Sequence, residues 1–342
     1  MITFTFSGTS HGDGYVGQIH GLPSGFAIDV DQLNHQLALR KTGSGRSVRQ
    51  NIEQDVVQLH GLVDGKTAGV LSFSIANANH GQKPPITALR GSHVDVVACN
   101  KLGKENVRLA NETASARNSI GYVVLGAICK QILSQFGINT YSFTQSVGDV
   151  ACNTFATGRV DDDINCPCPK TTDKIKQKIN QYKSVGNSLG GKAVVVATGV
   201  PCGWGNWFPY DKRIDGIIAG SLMAIPSVKG VQFGFDVDFA TLDGVSASES
   251  LAVADGKVVY ASNKSGGVVG GVTTGQPIVC TLVVKPVPTV KGAEGIDCNT
   301  LQPVPAHYER ADTCVVPNVG VIAENILAYV LLDYATKEGI NL

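Results

Sequence analysis

Gly12-Asp-Gly-Tyr-Val-Gly17, continued by Gln18-Ile-His-Gly-Leu-Pro-Ser-Gly25, is the stretch on which the fold class turns. Its first six residues match the dinucleotide fingerprint G-x-G-x-x-G, and the alternating Met1-Ile-Thr-Phe-Thr-Phe6 before it reads as a strand. In a doubly wound nucleotide-binding fold this loop must open a helix, whose first N–H groups hold the pyrophosphate. Here Gly21 and Pro23 fall inside the required helix. Proline removes a donor and clashes with the preceding turn, and glycine weakens a helix interior. A strand and a turn are expected instead. The nicotinamide-dependent oxidoreductase that would rest on this fingerprint is set aside. Gly61-Leu-Val-Asp-Gly-Lys-Thr67 comes close to a P-loop but has three residues between its glycines where four are needed. It reads as a turn between two strands.

Working outward, β-branched enrichment predicts strands at 2–6, 55–60, 70–75, 140–148, 192–198, 228–235 and 277–285. Amphipathic spacing predicts helices at 30–41, 115–136, 172–184, 211–224 and 319–337. The 115–136 helix has an apolar stripe (Ile120, Val123, Val124, Ala127, Ile128, Ile132, Leu133) wide enough to be nearly buried, whereas 172–184 is lysine-rich and expected to face solvent. These elements mix without a regular βαβ alternation, which points to α+β.

The chain has 342 residues, 28 basic and 28 acidic, so nucleic acid or an anionic membrane is not the expected main partner. Charged residues make up 16%, against roughly 25% in ordinary soluble domains, and glycines number 40. Low charge with many glycines suggests close backbone packing and extensive buried surface, which a homo-oligomer would supply. The start has no basic n-region, and no uncharged run reaches about 18 apolar residues, so neither a signal peptide nor a membrane span is expected. The nine cysteines are scattered; only Cys166 and Cys168 lie close, with no second pair. Free thiols in a reducing cytoplasm are expected, and no metal.

Against the neutral whole, Arg40-Lys-Thr-Gly-Ser-Gly-Arg-Ser-Val-Arg49 holds four cations in ten residues, with no acid between Asp31 and Glu53. Glycine permits close backbone approach, and serine, threonine and backbone N–H groups add donors around arginine forks, which describes an anion site or, equally, a solvated basic loop. Gly8-Thr-Ser-His-Gly12 sets His11 between glycines after a strand. Arg90-Gly-Ser-His-Val-Asp95 sets His93 beside an acid able to fix its tautomer. Ser115-Ala-Arg117 opens the apolar helix and could cap it or bind an anion. Arg310-Ala-Asp-Thr-Cys314 sets Asp312 two residues from a cation before the last helix.

In this order, these segments resemble the chorismate synthase family over nearly the whole chain. Gly8–Gly12 resembles G-E-S-H-G, 40–46 the R-R-R-P-G-x-S-R/A region, 90–95 R-P-G-H-A-D, and Thr113-Ala-Ser-Ala-Arg-Asn-Ser119 R-S-S-A-R-E-T. Ser265-Gly-Gly-Val-Val-Gly-Gly-Val-Thr-Thr-Gly-Gln-Pro277 is very close to A-G-G-I-x-G-G-I-S-x-G-x-P. Lys285-Pro-Val-Pro-Thr289 resembles K-P-T-x-S, and Glu309-Arg-Ala-Asp-Thr-Cys-Val315 resembles G-R-H-D-P-C-V.

The resemblance implies one catalytic domain over 1–342, with a helical layer between two antiparallel sheets, assembled as a cytoplasmic homotetramer. It implies a lyase that eliminates phosphate from 5-enolpyruvylshikimate-3-phosphate in a 1,4-anti sense, giving chorismate, the last step of the shikimate pathway. Reduced FMN is required without net redox change, and some members reduce their flavin with NADPH. His11 would act as general acid toward the phosphate, His93 would lie at the flavin, and Asp312 would act with flavin N5 on the C6 proton. Substrate would meet Ser10, Arg40, Arg46, Arg49, Arg90, Ser115, Arg117 and Arg310. The flavin would meet Thr113, Ala114, Ser115, Pro226, Ser227, Gly270, Lys285, Pro286, Val287, Pro288, Thr289 and Arg310.

Departures from the family pattern fall at sites rather than in the scaffold, and two of them, at 113–114 and 226–227, alter stretches the family uses to bind FMN. Thr9 replaces a Glu, Arg108-Leu-Ala-Asn-Glu112 a glycine-rich run, Thr113-Ala114 an Arg-Ser, Pro226-Ser227 an Asn-Ala, and Ala311 a His. Altered flavin binding, measurable only with substrate present, is therefore expected. The alternative reading is a homologue that keeps flavin or anion binding without the lyase reaction.

Overall fold

The computed structural model describes residues 1–160, 163–309 and 311–340, without the side chain of Asn51. An amino-terminal antiparallel sheet has the order Thr3–Gly8, Gly14–His20, Leu71–Ala76, Gln58–His60. The fingerprint residues are therefore a hairpin strand, with Gly8 opposite Tyr15 and Gly14 opposite Ala76. A Cβ on Gly14 would lie 2.2 Å from the Ile75 carbonyl oxygen, so this glycine serves strand packing. The 61–67 segment is a turn closed by Val63 and Lys66, as expected.

A second, five-stranded antiparallel sheet has the order Val150–Ala151, Asn139–Val147, Gly191–Thr198, Ile278–Val284, Val228–Phe233. Its central strands read as unbroken Val, Ala and Thr runs because both faces are covered: Ala193 to Ala197 are all fully buried.

Between the sheets lie helices Val30–Lys41, Ser119–Ser134 and Val316–Lys337, and helix Ile214–Met223 packs against the last of these and the Val228–Phe233 edge strand. Three glycines mark the successive contacts of this sandwich. A Cβ on Gly121 would lie 2.9 Å from the Phe6 ring of the first sheet. One on Gly126 would lie 2.2 Å from the Asn325 carbonyl oxygen of the last helix, and one on Gly320 would lie 3.0 Å from Ser142 of the second sheet. A single apolar cluster runs through all of these layers, from Ile2 to Ala335. The expected helical layer between two antiparallel sheets is thus observed.

By length and composition the Val316–Lys337 helix could cross a membrane, but 83% of its apolar window is buried in the protein. Glu324 and Asp333 interrupt its apolar run, and both are answered internally. Glu324 accepts from Lys130 and Ser142 at 2.7 Å each, and Asp333 from the Ile2 N–H at 2.7 Å. The Pro169–Ser184 helix buries only Thr172, Ile175 and Ile179, in keeping with a solvent-facing lysine-rich helix.

Candidate active site

The loop that follows the Val30–Lys41 helix, the turn after the first strand, and the approach to the Ser119–Ser134 helix converge on a cavity of about 550 Å³. Five arginines line it (Arg40, Arg46, Arg49, Arg108, Arg117), together with Lys229 and Lys285. Ser10, His11, His93, Ser115 and Asp312 also line it, as do Ala114, Pro226, Ser227, Val287, Pro288 and Thr289. Val315, Val319 and Ile322 add apolar wall from the start of the last helix.

So many cations can share one buried site only if counter-charges lie behind them. Two deeply buried acids supply these for Arg40, Arg49 and Arg117, Glu53 at 1% and Asp55 at 2% exposure. Asp55 accepts from Arg40 at 2.6 Å and from Arg117 at 2.8 Å. Glu53 pairs with Arg49 at 3.2 Å and with Arg117 at 3.0 Å. Burial alone would raise the Asp55 pKa, but Arg40 and Arg117 outweigh it and hold the carboxyl below its ordinary range. Burial lowers the pKa of Arg40 from its ordinary value, with Asp55 opposing. Asp55 has φ 54°, a left-handed conformation that Asp and Asn tolerate.

His11 lies against Arg49, whose Nη1 is 3.1 Å from His11 Nε2. A guanidinium can only donate, so Nε2 is the acceptor and the ring proton sits on Nδ1, 3.2 Å from Ser10 Oγ and 3.6 Å from Glu112. Burial, then the charges of Arg49 and Lys83, push the His11 pKa down to about 4. A near-neutral pKa suited to a general acid is therefore not found, because burial first and the neighbouring cations second penalise a further positive charge. A phosphate dianion beside the ring would offset the part due to the cations.

His93 Nδ1 lies 3.1 Å from Asp95 and 3.2 Å from Arg90 Nη2, and because the two Nη2 hydrogens go to Asp95 and Asn111, Nδ1 carries the ring proton toward Asp95, as the spacing suggested. Asp95 is fully buried, and although burial opposes ionisation, hydrogen bonds from His93, Arg90 and Asn111 keep its pKa far below the ordinary range. Asp312 accepts from Arg46 at 2.7 Å and from the Ser47 N–H at 2.7 Å, so the arginine-rich loop and the approach to the last helix hold each other. Four lining residues carry a buried polar atom without a hydrogen-bond partner among the described residues: Arg40 Nε, Gln50 Oε1, Arg108 Nη2 and Asn318 Oδ1.

The structure does not bring every expected residue here. Arg90 is turned away from the cavity, its donors taken by Asp95, Thr289 and Asn111. It acts as the brace behind His93 rather than as a wall. Thr113 faces a neighbouring hollow and caps its own helix by donating to the Leu109 and Ala110 carbonyls. Gly270 sits in the turn between Val268–Val269 and Val272–Thr273, and Pro286 packs near Gly190; neither lines the cavity. Arg310 lies outside the described residues. The sequence reading missed Glu53, Asp55, Arg108, Lys229 and Asn318. An acid appearing directly after a long acid-free basic stretch was the available signal for Glu53 and Asp55.

The chorismate synthase family profile matches residues 2–336. The chain belongs to the chorismate synthase family. A chorismate synthase of Carboxydothermus hydrogenoformans is 32% identical over 97% of this chain and 93% of its own length. One from Aquifex aeolicus is 33% identical over 97% of this chain and 92% of its own. A crystal structure of a chorismate synthase superposes with a TM-score of 0.78 at 28% identity, covering 98% of this chain and 92% of that one. The sandwich described above is thus the chorismate synthase fold, and the chain is an enzyme of a lyase family.

Proposed function

We propose that this chain eliminates phosphate from 5-enolpyruvylshikimate-3-phosphate in the 1,4-anti sense to give chorismate, with reduced FMN required and no net redox change. The observation that carries the reading is the union, in one cavity, of five arginines with His11, His93 and Asp312. A substrate with two carboxylates and a phosphate needs several fixed cations, and planar guanidinium forks suit both groups.

In this reading Arg46, Arg49 and Arg117 bind the anionic groups, prepositioned by Asp312, Glu53 and Asp55. Arg40 turns its partnerless Nε to the ligand. His11 takes up a proton as the phosphate dianion arrives and returns it to the departing phosphate oxygen. Asp312 keeps a lone pair free beyond its two hydrogen bonds, to receive the C6 proton. Val287, Val315, Val319 and Ile322 keep that end of the cavity poor in water, which strengthens each of these interactions. Arg90 acts as a positioning residue, through Asp95 and His93.

The residues suit a flavin. An apolar wall (Pro226, Val287, Pro288, Ile322) stands beside Ser115, Lys285 and Thr289, and Gln50 and Asn318 hold buried acceptors that need donors. The chemistry that reduced FMN would supply there is transient electron donation to the substrate. We read the chain as one catalytic domain on its continuous core, placed in the cytoplasm as family enzymes are. Homotetramer assembly is part of the same reading, supported by the exposed Trp207, Phe208 and Tyr210, at 77%, 88% and 85%, and by the hairpin Leu251–Ala254/Lys257–Tyr260 with exposed Leu251, Val253 and Val258.

Equilibrium binding tests the reading. The phosphorylated substrate should bind flavin-free protein, and oxidised FMN should bind measurably tighter in its presence. No substrate binding would contradict the reading. Equal FMN affinity with and without substrate would contradict the mutual ordering expected from the altered flavin contacts.

A further inference from the structure

Arg108 has no role in the reading above, and its environment asks for one. It stands in the Val107–Thr113 helix, anchored on two sides. Nε donates to the Pro84 carbonyl at 2.8 Å, and Nη1 pairs with Glu309 at 2.8 Å. Its side chain is 12% exposed, yet Nη2 is buried with no partner among the described residues. A buried guanidinium with an unanswered donor is costly unless a ligand completes it.

The position says which part of the ligand that is. Arg108, His11 and Glu112 line both the main cavity and an adjoining hollow of about 540 Å³, which Lys83 and His80 also line. Arg108 and Lys83 are both close enough to help hold His11 in its neutral form. A dianion beside His11 would answer the Arg108 donor and relieve the histidine together. In the reading above, Arg46 and Arg117 serve anionic groups with the donors that Asp312, Asn77, Asp55 and Glu53 leave over, and the group that lies against His11 is the one that leaves.

We infer that Arg108 is a further substrate-binding residue, whose Nη2 donates to the phosphate of the substrate beside His11, with Glu309 and the Pro84 carbonyl holding the guanidinium in place. The inference rests on the proposed function and adds a phosphate-specific contact to it. Glu309 neutralises part of the charge at rest without occupying Nη2.

The test compares the dissociation constants of 5-enolpyruvylshikimate-3-phosphate and of the same molecule lacking phosphate, in flavin-free wild type, Arg108→Gln and Glu309→Gln. Losing one donor to a buried charged group weakens binding by about 10- to 150-fold. Arg108→Gln should lose that factor for the phosphorylated ligand and less than about 3-fold for the other, within the noise of a neutral change. Glu309→Gln breaks the same ion pair but keeps the donor, so it should keep the preference for phosphate. Equal losses for both ligands in Arg108→Gln would overturn the inference, as would an equally large loss of preference in Glu309→Gln. A wild type that does not distinguish the two ligands would instead refute the reading of the cavity, and this inference with it.

Discussion

Replacing Asp55 by Asn isolates the counter-charge that permits the arginine cluster. Asn has the shape of Asp and tolerates the left-handed backbone found here, φ 54°, so the change removes charge and little else. Two guanidiniums, Arg40 at 3% and Arg117 at 7% exposure, then lose a partner at 2.6 and 2.8 Å. Breaking a buried pair in this way costs about 3–5 kcal/mol. An unfolding entropy of about 2.1 cal/mol/K per residue over 342 residues gives about 0.7 kcal/mol/K, so the melting temperature should fall by about 4–7 °C. Because the Asp55 pKa is depressed in the folded protein, its contribution is present above the unfolded value of about 3.9 and is lost as pH falls further. The variant should therefore show a flatter acid limb, with the deficit largest near neutrality. An anionic substrate restores part of the missing counter-charge and should stabilise the variant more than the parent. Scanning calorimetry at pH 7 and pH 3.5, with and without the phosphate-ester substrate, reads all three effects. A melting temperature within about 1 °C of the parent at pH 7 would refute the claim that Asp55 holds the cluster together.

His11 should titrate at about 4 by nuclear magnetic resonance, and its midpoint should move upward when a phosphate-bearing ligand binds and offsets the neighbouring cations; a midpoint unmoved by the ligand would remove its assignment as proton donor. The same depressed pKa makes stability decline as pH falls from about 6.5 to about 4, because the unfolded chain takes up a proton that the folded one resists. Arg46→Ala should raise the substrate dissociation constant by about 30-fold or more, since the substitution leaves both Asp312 and a bound anion without their shared cation; titration calorimetry checks it, and a change under about 3-fold would contradict the role. Gly126→Ala places a Cβ 2.2 Å from the Asn325 carbonyl oxygen, so the two central helices must separate, and thermal unfolding should report a loss of about 1–3 kcal/mol.

Periodicity carried the large elements well. Every predicted strand and helix has a counterpart, with shifts at the ends that have local causes. The 115–136 helix begins at Ser119 because residues 116–118 form a separate 3-10 turn capped by Ser115, and the lysine-rich helix begins at Pro169 because proline suits a first turn. Asp95–Leu102 and Val107–Thr113 were not foreseen; at 8 and 7 residues, with mostly one-sided or exposed faces, they carry too little apolar period to register. The hairpin Leu251–Ala254/Lys257–Tyr260 was likewise unseen, since its valines have no buried face to alternate against.

Within the site, the arginine loop and the glycine-bracketed His11 were legible because local composition departs sharply from the chain average. The roles of Arg90 and Arg108 were not. Arg90 lies in a motif that suggests substrate contact, yet Asp95, two residues past His93, captures its fork. Arg108 is an ordinary basic residue in sequence, and only the fold brings it beside His11. The end of the acid-free basic stretch marks Glu53 and Asp55 locally, but their pairings with a residue as far away as Arg117 are made only by the fold.

The central claim is that this cavity carries out the elimination, and one anaerobic reaction tests it most directly. Purified protein, chemically reduced FMN and 5-enolpyruvylshikimate-3-phosphate are mixed under nitrogen, and chorismate and inorganic phosphate are measured in the same sample over time. The account predicts equal amounts of both, absent with oxidised FMN. Phosphate without chorismate, or neither product while the substrate demonstrably binds, would contradict it.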